Sequence, residues 1–84
     1  MTQAEFLERF GPFINDEDVM FADGFDDAIL GLEPGSLRVV YSIPKMVEVL
    51  IEKEKMELLD AIEHLEYNVI NAYVGDKTPI YIET

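Results

Sequence analysis

Apolar positions along this chain follow two different periods, and the change between them predicts its elements. Phe6 and Phe10 stand four apart with Leu7 beside them, the spacing of one helical face. Thr2 and Glu5 have the spacing of a capping box, so a helix is predicted over residues 2–10. Gly11-Pro12 is expected to stop it. After Val19-Met20-Phe21, Gly24 marks a turn, and residues 27–32 read as a strand. Glu33-Pro34-Gly35-Ser36 then separates that run from residues 37–42, where Val39, Val40 and Tyr41 favour a pleated surface. Two strands about a Pro-Gly turn predict an antiparallel hairpin.

From Pro44 the period becomes 3.6, and proline is well tolerated in a first helical turn. Ile43, Val47, Leu50 and Ile51 share one stripe, and Leu58, Ala61, Ile62, Leu65, Val69, Ala72 and Tyr73 continue it nearly in phase. Glu54 and Lys55 interrupt it, which predicts two helices over 44–53 and 57–73, with one bent helix as the alternative. Gly75 is a C-cap signal, Asp76 to Pro79 a loop, and Ile80-Tyr81-Ile82 a short third strand. The expected fold class is α+β. Residues 1–84 form one domain, a small antiparallel sheet of about three strands packed against two or three helices.

Charge changes the picture more than length does. Eighteen Asp and Glu oppose six Lys and Arg, a formal net charge of -12 in 84 residues. Arg9, Arg38, Lys45, Lys53, Lys55 and Lys77 are scattered, so direct nucleic-acid binding is not expected, nor is binding to an anionic membrane. No apolar run approaches the ~20 residues of a membrane span, and a signal-peptide core is not evident. No base lies between Arg9 and Arg38, while Asp16, Glu17, Asp18, Asp23, Asp26 and Asp27 fall in that gap. A partner with a basic surface would be steered toward such a field. A compact chain of this length is roughly 30 Å across, and duplex DNA of that length carries about 18 phosphates. A nucleic-acid mimic is therefore within reach, beside the plainer reading that the charge serves solubility.

Specific chemistry is sparse. Cysteine is absent, which removes disulfides, thiolate metal sites and thiol nucleophiles. Placing Asp23-Gly24 at the turn of a calcium loop puts Val19 and Phe21 where ligands belong, which excludes an EF-hand and leaves a looser oxygen-ligated site as the lesser alternative, so no metal ligand is assigned. A solvated acidic turn is the favoured account of this segment. His64 is the single histidine, and nothing designates Ser36 or Ser42 as its nucleophile. Neither catalysis nor a cofactor is expected. Asn68 falls inside the apolar arc and is expected to be buried, tying the helix to the Gly75–Pro79 loop or a strand edge, with contact to a ligand as the alternative. Leu59, Tyr67 and Ile70 lie off the main stripe, as do Val49 and Met56, and the first three are the candidates for self-association as a homodimer.

Phe21-Ala22-Asp23-Gly24-Phe25-Asp26-Asp27-Ala28, followed by Val39-Val40-Tyr41 and then Ala72-Tyr73-Val74-Gly75 and Thr78-Pro79-Ile80, resembles a family of small proteins encoded by bacteriophages and prophages. The resemblance spans residues 18–82. It departs at Lys55-Met56, where the family has Gly-Met, and at Ser42, where it has an acid. It implies a phage origin and action in the cytoplasm of an infected bacterium, and it carries no reaction, cofactor or site. With the charge, it leads to an expected non-enzymatic protein that inhibits or redirects a bacterial host or defence protein. Asp16, Glu17, Asp18, Asp23, Asp26 and Asp27 would supply the field, and Phe21 and Phe25 the apolar anchors. The alternative is a self-associating structural or regulatory module.

Overall fold

In a computed structural model, residues 1–14 and 19–84 are described. Helix α1 spans Gln3–Ile14. Strands β1 (Ile29–Glu33) and β2 (Arg38–Ser42) follow, then helices α2 (Ile43–Lys53) and α3 (Leu58–Leu65). A wide π-type turn over Glu66–Ile70 extends α3, and β3 (Ile80–Ile82) completes the sheet. The α+β class and the break between α2 and α3 hold.

The capping box forms at α1 as spaced. The Glu5 amide donates to Thr2 Oγ1 and the Thr2 amide to Glu5 Oε1, both at 3.1 Å. The Thr2 amide first, and the Thr2 hydroxyl after it, hold the Glu5 carboxyl below its ordinary pKa. The helix does not stop at Gly11-Pro12. It runs on to Ile14, which like Phe6 is buried in the core. Pro12 deprives only the Glu8 carbonyl of a donor, and Glu8 is exposed, where water can replace that bond.

β1 and β2 pair antiparallel, with Ile29 opposite Tyr41 and Glu33 opposite Arg38 and a bulge between Ile29 and Gly31. Glu33 closes the turn, accepting from the Gly35 amide, the Ser36 amide and Ser36 Oγ, each at 2.7 Å. These bonds lower its pKa, the Gly35 amide most. β3 corrects the expected sheet: it joins β2 in parallel, Val40 opposite Ile80, so the sheet is mixed, in the order β1-β2-β3. The reason is topological. Two helices intervene and return the chain to the end of the sheet from which β2 began, a crossover that a parallel pair requires. Arg38 holds this join by donating to the Thr78 and Pro79 carbonyls, and Lys77 Nζ reaches the Ser36 carbonyl at 3.0 Å.

One core unites these layers. Phe6, Val39, Tyr41, Met46 and Leu65 are its largest fully enclosed apolar side chains. Buried Ser42 caps α2, its Oγ accepting the Lys45 amide at 3.2 Å. α2 packs against α3, against β2 and against the 3-10 turn Asp26–Ala28. Met46, Val49 and Leu50 therefore face the core, which corrects Val49 as an outward residue, and Met56 packs against the same core.

α2 ends with Lys55 in a left-handed conformation, φ 58°, while the Glu54 and Met56 amides both donate to the Leu50 carbonyl. That conformation crowds a side chain against its own backbone and favours glycine. Lys55→Gly is expected to raise stability by about 0.5–1 kcal/mol, the relieved strain exceeding the added freedom of the unfolded chain. Thermal unfolding checks it, with Lys55→Ala, which removes the same charge, as the control that gains nothing.

Candidate functional site

The acidic segment begins outside the described residues, where Asp16, Glu17 and Asp18 lie. Its described part is a built turn. Gly24 has φ 90° at the third position of a four-residue turn closed by the Phe25 amide on the Ala22 carbonyl at 3.3 Å. The Ala22 amide donates in turn to the Tyr41 hydroxyl oxygen at 2.8 Å. A residue of the central strand thus fixes where the acids project.

Asp23 is exposed and accepts from Gln3 Nε2 at 3.2 Å. Asp26 is half-buried, and its carbonyl takes the Met1 ammonium at 3.1 Å. Asp27 is exposed and pairs with Lys53 at 3.5 Å, the one ion pair within 4 Å among the described residues. Of the two aromatic anchors, Phe25 is placed otherwise than expected and Phe21 is half-buried. Phe25 is part of the core, and Phe21 stacks edge-on against Phe6 with ring centroids 5.4 Å apart. Both rings hold the turn onto the body, and burial withdraws Phe25 from a partner's reach.

The self-association candidates separate as well. Leu59 and Tyr67 are 73% and 81% exposed, whereas Ile70 is half-buried and lines a groove. Asn68 is exposed, a correction to its expected burial: its Nδ2 donates to the His64 carbonyl at 3.1 Å and lies 3.3 Å from His64 Nδ1. The wide turn over Glu66–Ile70 holds more residues than an α-helical turn, which shifts the phase and rotates Asn68 out of the stripe. Ala72 and Tyr73, expected on that stripe, lie beyond it and are exposed. Asn71 Nδ2 supports the wide turn by donating to the Glu66 carbonyl at 2.7 Å.

A feature that sequence reasoning missed is the groove between α2 and α3, about 560 Å³ in volume. Ile43, Val47 and Ile51 form one wall, and Leu58, Ile62 and Ile70 the other. Its charged lining residues are Glu48, Glu66 and Glu83, with no Lys, Arg or His among them. The stripe that builds it is visible in the sequence, but there it reads as core. The helical hairpin also carries Glu48, Glu52, Glu54, Glu57, Asp60, Glu63 and Glu66 against Lys45, Lys53 and Lys55, a second acidic region.

Among the described residues no three His, Cys, Asp or Glu side chains gather as a metal would require. Ser36 is engaged with Glu33 and Ser42 with the cap of α2. No described helix is long and apolar enough to cross a membrane. Against protein-family models, curated proteins and solved structures, the chain has no match.

Proposed function

We propose that this chain is a small non-enzymatic binding protein, encoded by a bacteriophage or prophage and acting in the infected cell's cytoplasm. It inhibits or redirects a bacterial host or defence protein by covering a basic surface. One observation carries the reading: eighteen acids stand against six bases, a formal net charge of -12. Arg38 is turned to the backbone carbonyls of Thr78 and Pro79. The molecule is 40 Å long. Duplex DNA of that length carries roughly 24 phosphates, so the net charge is about half that of the DNA it would displace.

Capture on the immobilised chain from bacterial lysate at low and high salt tests this. The expected result is a nucleic-acid-binding protein retained at low salt and released at high salt, whose DNA binding the free chain competes. Retention that ignores ionic strength, or a partner whose DNA binding is untouched, would overturn it. The exposed Leu59 and Tyr67 favour a second reading, self-association with the charge serving solubility. Light scattering separates the two, because a strict monomer at high concentration removes the second.

A further inference from the structure

The α2–α3 groove has a composition that restricts what can fill it. Its walls are aliphatic, its charged residues are Glu48, Glu66 and Glu83, and no lining residue is an uncharged polar one. An occupant must bring apolar surface for the floor and positive charge for the rim. It must also satisfy its own backbone, because the walls are helices whose amides and carbonyls are already paired with each other. An extended peptide would leave its main chain unmatched there, whereas a helix arrives with it satisfied. Two helices offering a trough between them accept a third by the ordinary packing of ridges into grooves.

Resting on the reading of an acidic binding protein, we infer that this groove is the docking site for a cationic amphipathic helix of the partner. Its apolar face at i, i+3, i+4 and i+7 lies on Ile51, Leu58 and Ile62, and flanking Lys or Arg residues meet Glu48, Glu66 and Glu83. α2 is roughly 16 Å long at 1.5 Å per residue, which matches an occupant of about three turns. A second copy of this chain fits poorly. Its own helical hairpin carries seven acids against three lysines, so two copies would bring like charges to one seam.

The experiment uses the full chain and synthetic peptides of about three turns. One has leucines at helical spacing flanked by Lys and Arg, the second is its shuffled sequence, and the third carries Glu flanks. Fluorescence anisotropy reads affinity, and circular dichroism reads helix formation in the peptide. The patterned cationic peptide is expected to bind about tenfold or more tightly than the shuffled one and to gain helicity. Ile51 and Leu58 are 37% and 57% exposed, so Ile51→Ser with Leu58→Ser spares the core. That double variant is expected to reduce affinity to the shuffled level. Glu48→Gln, Glu66→Gln and Glu83→Gln together should weaken binding about tenfold at low salt and flatten its salt dependence. Equal binding of the shuffled peptide, or an unchanged affinity in the folded double variant, would overturn the groove while leaving the acidic-surface reading intact. Dimerisation abolished by the same double variant would overturn it in favour of a second copy. Absence of salt-sensitive binding to every cationic probe would remove the acidic-surface reading itself.

Discussion

Phe6→Ala is expected to cost about 3–5 kcal/mol, the range for removing a buried aromatic ring. Phe6 is 0% exposed, and its ring centroid lies 4.9 Å from that of Phe10 and 5.4 Å from that of Phe21. It therefore joins α1 to the segment leading into the acidic turn, and the cavity left by truncation would open among several elements at once. A domain of 84 residues has about 4–12 kcal/mol in total at ~0.05–0.15 kcal/mol per residue. The loss is a large fraction of that, and the variant should be partly unfolded at ordinary temperature. Urea unfolding followed by circular dichroism measures it, with Leu59→Ala as the internal reference. Leu59 is 73% exposed, and its truncation should fall within about 0.5 kcal/mol of wild type. Indistinguishable midpoints for the two variants would show that Phe6 does not anchor α1.

Tyr41 governs the second effect, which depends on pH. Its side chain is fully enclosed, and burial pushes its hydroxyl up to about 12 from the ordinary value of 10.0. The Ala22 amide opposes that rise, while nearby Tyr81, Asp26 and Asp23 add to it. A phenol whose pKa is raised on folding stabilises the fold in its neutral form. Its contribution is complete below the unfolded value and is lost as pH climbs through the interval from 10 to 12. The loss approaches about 3 kcal/mol at the upper end, from 1.36 kcal/mol per unit.

Tyr41→Phe separates this from other alkaline effects. At pH 8 the variant should be about 1–3 kcal/mol less stable, because the Ala22 amide loses its 2.8 Å acceptor. Between pH 10 and 12 the two stability curves should converge, since only the wild type must ionise a buried phenol at this position. Tyr81, raised by its own burial, is common to both proteins and cancels in the comparison. Chemical denaturation at several pH values follows the difference, and curves that stay parallel would assign Tyr41 no linkage. The same variant should loosen the turn that presents Asp23, which ties the acidic segment to the central strand.

The Thr2–Glu5 capping box, the Pro34-Gly35 hairpin and the break at Glu54-Lys55 act within a few residues of themselves, and each is legible where it is written. Gly11-Pro12 is an equally clear local stop and is overruled, because the burial of Ile14 lies beyond it. Phe21 and Phe25, next to acids in the chain, resemble interface anchors. Only the position of Phe6 and the core shows that they hold the turn in place. The groove failed to appear for a related reason: one apolar stripe serves both the core and a trough, and periodicity cannot divide it.

Local chemistry was enough to define the helices, the hairpin, the mixed α and β character and the excess of negative charge, since each depends on neighbours a few positions away. Long-range packing alone decided the parallel entry of β3, the length of α1, the outward turn of Asn68 and the acidic rim around an aliphatic groove. These depend on which distant segments share the core, and free energy gained there can exceed the preference of any short stretch of chain.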